Sequence, residues 1–255
     1  LRAGQAAGGN KTMDRIFDKY KKQVDEIIEV CARDGQLGYG PSVSGNVSYR
    51  VDDDFVIVTP TNVPKRLMRP EYLCAVRLNG EIIYTPEGKK PTGELFMHLH
   101  CLRKRPDIKA VMHAHPPIST GLSTSKEGKE ALMLPLIPEA MMQLGPVVTV
   151  PYANPNMEEL GYMIDPYMNK SNAFMLENHG VLVLSPNGVL EVIESIQILE
   201  SMAESIVAAQ RMGGKLKCLT QEDMKGIDEV INQLGWKLPG APGEYGSISE
   251  IFTRR

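Results

Sequence analysis

The segment Leu73-Cys74-Ala75-Val76-Arg77-Leu78-Asn79-Gly80-Glu81-Ile82-Ile83-Tyr84 places two short β-type runs on either side of Asn79-Gly80. Asn-Gly accepts the positive-φ positions of a tight two-residue turn, so this segment reads as an antiparallel hairpin. Upstream, Asn46 to Val51 and Phe55 to Thr59 flank Asp52-Asp53-Asp54 and read the same way. Further strands are predicted at Ala110 to His115, Val147 to Tyr152, Ala173 to Leu176 and Val181 to Leu184. Apolar positions recurring at helical spacing predict a helix over Met13 to Arg33, stopped by Gly35. Helices follow over Glu94 to about Arg103 (capped by Thr92), Pro117 to Thr124, Asn156 to Tyr167, Val189 to Arg211 and Gln221 to Leu234. Early hairpins without strict strand–helix alternation predict an α/β domain with a mixed, mainly antiparallel sheet, not a doubly wound one.

A chain of 255 residues with 42% apolar and 23% charged residues can bury a core without disulfides. Its 28 Lys and Arg against 31 Asp and Glu leave a net charge of −3, which gives no basis for a nucleic-acid partner. No apolar run reaches the ~20 residues that span a bilayer. Cys31, Cys74, Cys101 and Cys218 form no Cys-x-x-Cys pair, so buried free thiols in a reducing cytoplasm are expected. Residues 1–12 read as a disordered or vector-derived lead before Met13, and 13–235 as one domain. Residues 236–255, with Pro239, Pro242 and several glycines, read as an extended tail that packs on the domain rather than as a helix.

Of the five histidines, His113 and His115 sit at the end of a predicted strand. Residues two apart on a strand share a face, with Cα atoms ~6.5–7 Å apart, so both imidazoles can reach one ion. His179 is the best candidate for a third ligand, because the neighbouring Gly180 lets backbone approach closely. Three imidazoles with an open position make the pattern of a catalytic zinc. His98 and His100 are two apart on a helix and do not share a face, so structural hydrogen bonding is their reading. Taken alone, Glu94 reads as a first-turn acid interacting with the helix dipole.

Five motifs occur in order: Ser44-Gly45-Asn46-Val47-Ser48, Thr59-Pro60-Thr61, Pro91-Thr92-Gly93-Glu94, His113-Ala114-His115-Pro116 and Asn178-His179-Gly180. Together they resemble the class II aldolase/adducin family over about Met13 to Arg211. The resemblance implies a three-layer α/β/α fold with a central, mainly antiparallel sheet. It implies homotetramers with active sites at subunit interfaces. It matches His113, His115 and His179 to zinc ligands and Glu94 to the base. It matches Gly45, Asn46, Thr61, Thr92 and Gly93 to the loops that hold a substrate phosphate. The implied activity is a zinc-dependent aldolase that makes or breaks a carbon–carbon bond in a small hydroxy-ketone phosphate through a metal-stabilised enediolate. Another divalent metal is possible at such a site. Decarboxylation or dehydration on the same metal is the second reading, and a non-catalytic scaffold like the adducin head is the third. Intact Glu94 and all three histidines argue against the scaffold.

The chain departs from the type aldolase in its anion loops and at its proton donor, and its Glu94, where the epimerase branch of the family has Asp, favours an aldolase-type site. Thr92-Gly93 stands where the type aldolase has two serines, and Asn62 where it has glycine, so the anion held there is a phosphate or a carboxylate. Glu139, in the apolar run Leu136-Ile137-Pro138-Glu139-Ala140, falls near the position of the tyrosine proton donor contributed by a neighbouring subunit. Tyr245, in the tail, is an alternative donor that would close over substrate.

Overall fold

A computed structural model describes residues 17–253. The expected lead at 1–12 lies outside the described residues. The sheet is built from β1 (Asn46–Asp52), β2 (Phe55–Val58), β3 (Cys74–Arg77), β4 (Ile82–Tyr84), β5 (Ala110–Ala114), β6 (Val147–Val150), β7 (Ala173–Leu176) and β8 (Gly180–Ser185). Its eight strands run in the order β4-β3-β2-β1-β5-β8-β7-β6. Only the β6–β7 pair is parallel. Gly80 adopts φ +94°, and its N–H closes the Asn79-Gly80 turn onto Arg77 O at 2.9 Å.

Alternation along the strands sorts side chains to two faces. Val47 and Tyr49 of β1, with Ala110 and Met112 of β5, pack under α1 (Lys21–Leu37) and α7 (Val189–Arg211). Val111 of β5 packs with Val56, Val58, Phe174 and Leu182 under α2 (Leu95–Lys104) and α6 (Glu158–Tyr162). The result is the three-layer α/β/α arrangement. Parity puts Asn46, Ser48, His113 and His115 on the α2 side of the sheet.

Several boundaries differ from the sequence reading. Helix α1 runs through Gly35 and ends at Leu37, with Gly38 taking φ +74° as its left-handed cap. Gly35 is instead a packing residue, since a Cβ there would lie 2.6 Å from Arg66 Cβ. Helix α2 begins at Leu95, with Glu94 itself at the cap position; the Thr92 hydroxyl accepts from the Glu94 N–H at 3.3 Å. Between α3 (Pro117–Ser123) and β6 lie two short helices that the apolar pattern did not reveal, α4 (Lys126–Leu132) and α5 (Pro138–Gln143). The stretch expected as one helix over 156–167 is only α6 followed by a single turn at Asp165–Tyr167. Helix α8 (Gln221–Leu234) starts with a Thr220/Asp223 capping box and ends at Gly235. The tail is not wholly extended: α9 (Ile248–Thr253) buries Ile248, Ile251 and Phe252 against Met224, Ile227 and Ile231 of α8. Cys31, Cys74 and Cys101 are buried free thiols, each pushed up to about 12 by burial, whereas Cys218 is exposed.

Candidate active site

The site forms at the end of β5 where two loops and a hairpin turn meet. His113 is the last-but-one residue of β5, paired with Asn46 across the ladder. His115 follows the strand, its N–H held by Tyr39 O at 2.7 Å. His179 lies in the turn between β7 and β8, where Asn178 adopts φ +55° and the His179 N–H bonds Leu176 O at 3.1 Å. Short-side-chain Asn tolerates this left-handed conformation. Gly180 completes the approach: a Cβ there would lie 2.5 Å from both Ala114 O and His115 Cδ2.

These folds bring one ring nitrogen from each of His113, His115 and His179 within 4.8 Å of one another. His113 Nδ1 lies 2.8 Å from Val181 O. A carbonyl only accepts, so Nδ1 carries the hydrogen and Nε2 presents a lone pair. That Nε2 is fully buried and makes no hydrogen bond, and the same is true of His179 Nδ1. Burial pushes His113 down to about 4, aided by the Lys65 charge and opposed by the Val181 hydrogen bond. Burial and the neighbouring histidines push His115 to about 3. Burial and His113 push His179 to about 4, with Glu94 opposing. Three neutral imidazoles gathered this closely, with His113 Nε2 and His179 Nδ1 unpartnered and no thiolate among them, fit a divalent ion.

Glu94 is buried at 6% exposure. Its Oε2 lies 3.5 Å from His113 Nε2, and its Oε1 3.5 Å from His179 Nε2. Asn46 Nδ2 donates to Glu94 Oε2 at 2.9 Å. His98 is fully buried between Ser48 Oγ and Asn46 Oδ1, at 2.7 Å from Nδ1 and 2.5 Å from Nε2. His100 bonds Asp165 Oδ1 through Nε2 at 2.6 Å, far from chelating with His98.

In front of these groups is a cavity of about 230 Å³. Gly45, Asn46, Thr61, Thr92 and Gly93 all line it, together with Glu94 and the three histidines. The walls are stitched: Thr92 N–H bonds Thr59 O at 3.1 Å, and Thr61 N–H bonds Lys90 O at 3.0 Å. Gly45 sits at φ +76°, with room for a Cβ only 3.2 Å from His113 O. Asn62 also lines the cavity, at φ +58°, a left-handed position that suits the glycine of the family pattern.

Glu139 lies elsewhere. It is exposed in the first turn of α5, with Gln143 Nε2 donating to its Oε1 at 3.3 Å, so its setting is solvent and not apolar. The apolar neighbours in sequence turn inward while Glu139 turns out. Tyr245 lines a separate cavity with Trp236 and Asp228. Two residues escaped the sequence reading. Asn156, at φ +62°, reaches over Gly93, where a Cβ would meet its Oδ1 at 2.2 Å. Lys65 is buried behind the cavity, donating to Val63 O at 3.2 Å and Val43 O at 3.4 Å. Neither carries a spacing signal; the Asn154-Pro155-Asn156 turn was the only hint.

The family model for the Class II Aldolase and Adducin N-terminal domain matches residues 25–207. The chain belongs to this family. Among relatives, 3-oxo-tetronate 4-phosphate decarboxylase of Pectobacterium atrosepticum is 32% identical over 202 residues, covering 78% of this chain and 89% of that protein. L-fuculose phosphate aldolase of Haemophilus influenzae is 28% identical over 215 residues, covering 84% and 95%. The solved structure of YgbL from Klebsiella pneumoniae superposes with a TM-score of 0.74 at 26% identity, over 81% of this chain and 98% of that one. No helix among the described residues of this class II aldolase-family chain is long and apolar enough to cross a membrane.

Two measurements follow from the site's geometry. Gly180→Ala should displace His115 or Ala114 and lower bound metal well below the wild-type stoichiometry, read by elemental analysis; full occupancy would refute the close-approach role. In metal-free protein, the three imidazoles and His98 stay neutral when folded down to about pH 3–4, while unfolded imidazole protonates near pH 6.5. The unfolded chain then binds more protons below pH 6.5, so stability is lost as pH falls from 6.5 through 4. Burial pushes Asp34 up to about 7, which gives a single opposing contribution. The urea midpoint of chelated protein should therefore fall between pH 6.5 and 4; a flat profile contradicts this.

Proposed function

We propose that this chain is a divalent-metal-dependent decarboxylase of a four-carbon 3-oxo acid phosphate, with zinc held by His113, His115 and His179 and Glu94 moving the proton. The observation that carries the proposal is the buried Glu94 carboxylate lying 3.5 Å from ring nitrogens of both His113 and His179, at the floor of the cavity.

The bound ion would supply Lewis-acid stabilisation of negative charge on the substrate's carbonyl and hydroxyl oxygens. Loss of CO2 from a 3-oxo-tetronate 4-phosphate leaves an electron pair on the adjoining carbon. That carbon must gain one proton to become the three-carbon hydroxy-ketone phosphate. Glu94 delivers a proton to this carbon and is recharged from solvent, which supplies the one proton that loss of CO2 from the carboxylate consumes. Asn46, through the bond from Nδ2, keeps Glu94 directed at the same place, and its second amide hydrogen remains for the substrate. The described residues lining the cavity include no lysine or arginine. The substrate's anionic end is therefore met by backbone N–H groups at Gly45 and Gly93 and by the side chains of Thr61 and Thr92.

Aldol chemistry is the second reading, supported by the relatives named L-fuculose phosphate aldolase. It would use the same carbon of the same three-carbon product: Glu94 would add the proton there in cleavage, as in decarboxylation, and remove it in condensation. Aldol cleavage also needs a second acid–base group at the aldehyde oxygen. Glu94 is the only carboxylate among the described cavity residues, which favours decarboxylation. Glu139 would serve as the second group only across a subunit interface in the proposed homotetramer.

The deciding experiment offers a 3-oxo-tetronate 4-phosphate and ketose 1-phosphates to the zinc-loaded protein. CO2 release from the first supports the proposal. Aldehyde release from the second, with no CO2, would replace it by the aldolase reading. Inertness toward both would overturn both readings, and failure to take up zinc at all would leave the scaffold. Light scattering that finds a monomer would remove any role for Glu139.

A further inference from the structure

Asn46 and Ser48 lie two residues apart on β1, so both side chains leave the sheet on the α2 side. His98 lies across them, with Nδ1 2.7 Å from Ser48 Oγ and Nε2 2.5 Å from Asn46 Oδ1. The far end of the Asn46 amide reaches Glu94 Oε2 at 2.9 Å. Helix α2 closes the circuit, since the His98 N–H bonds the Glu94 carbonyl at 3.3 Å. Ser48 and His98 are fully buried, and Asn46 and Glu94 nearly so.

The directions of these bonds are not independent. A neutral imidazole has one N–H, and an amide has one donor end and one acceptor end. Burial pushes His98 down to about 3, so the ring is neutral at physiological pH. With hydrogen on Nε2, Asn46 Oδ1 accepts it, the amide NH2 faces the Glu94 carboxylate, and the Ser48 hydroxyl donates to Nδ1. With hydrogen on Nδ1, Asn46 would have to turn its NH2 towards His98. Its carbonyl would then face a carboxylate, placing two acceptors in contact in a buried setting, a costly arrangement.

We infer that His98, in its Nε2–H form, is a positioning residue that locks the Asn46 amide so that Glu94 is held facing His113 and His179. The role extends beyond the proposed function and rests on Glu94 as the proton-transfer group. The four-residue spacing of Glu94 and His98 on one helix turn makes the device compact: one turn supplies both the proton carrier and the group that sets its bearing.

The test uses full-length protein with 15N-labelled histidine. Long-range 1H–15N correlation at neutral pH, without substrate, is expected to show His98 protonated on Nε2 alone. His98→Phe should lower kcat for CO2 release by about 10–100-fold, the range for loss of an outer hydrogen-bond partner around a metal site. KM and zinc affinity should stay near wild type. His98→Gln, whose amide offers an N–H to Asn46 and a carbonyl to Ser48, should recover most of that loss. A purely structural role would move stability and not this split between kcat and KM. Should His98→Phe not fold, Ser48→Ala is the milder variant; the Asn46 amide still faces Glu94 in it, so His98 is expected to keep its Nε2–H. An Nδ1–H or doubly protonated His98 in active wild-type protein overturns the inference alone. A folded His98→Phe protein with wild-type kcat, or a Ser48→Ala protein whose His98 moves to the Nδ1–H form with turnover unchanged, does the same. A wild-type protein inert toward every substrate overturns the function and, with it, the role given to His98.

Discussion

Glu94→Gln should reduce CO2 release by about 10²–10⁴-fold, the range for loss of a positioned acid–base group. Gln keeps the shape and a carbonyl acceptor for Asn46 Nδ2, so the 2.9 Å contact survives. It holds no transferable proton at pH 7. The same variant should abolish exchange of the carbon-bound proton of 1,3-dihydroxyacetone phosphate with solvent deuterium, whichever partner leaves in the full reaction. Zinc content should remain close to wild type, because the three imidazole nitrogens are untouched. Turnover and NMR-monitored exchange read both effects. Wild-type rates would falsify the assignment of Glu94.

His113→Ala should cost most of the metal. Structural zinc sites with four protein ligands bind with ~10–16 kcal/mol at neutral pH, so one lost ligand is worth about 2.5–4 kcal/mol. That corresponds to roughly 10²–10³-fold weaker binding. The loss is compounded because His113 is 1% exposed and its Nδ1–H satisfies Val181 O. Truncation removes that hydrogen bond and opens a void beside it. Isothermal titration of chelated protein with zinc measures the affinity. At stoichiometric zinc the variant should show no turnover and no zinc-dependent rise in melting temperature. His100→Asn is the control: its ring bonds Asp165 and takes no part in the cluster, so zinc affinity should be unchanged. Equal losses in the two variants would mean that the histidines act only through stability.

Much of the site is legible in the sequence. His113 and His115 were readable as a pair because a strand repeats every two residues, and Gly180 marked His179 because only a residue without Cβ allows that approach. The order of five motifs supplied Glu94 and the loops at Gly45, Thr61 and Thr92. Other features had no periodic signature. Helices α4 and α5 are seven and six residues long, too short for an apolar stripe to stand out. The direction in which Glu139 points depended on how α5 seats Ala140 and Met141 inward.

The amino-acid sequence by itself determined the hairpins, the long helices over Val189–Arg211 and Gln221–Leu234, and the family to which the chain belongs. Turn residues, side-chain period and ligand type are local properties, and local order encodes them. The tertiary structure alone decided which carboxylate faces the histidines, that His98 is joined to Glu94 through Asn46, and that Asn156 stands over Gly93. Those are contacts between segments far apart in the chain, set by strand register and by the packing of α2 on the sheet, and no spacing along one segment carries them.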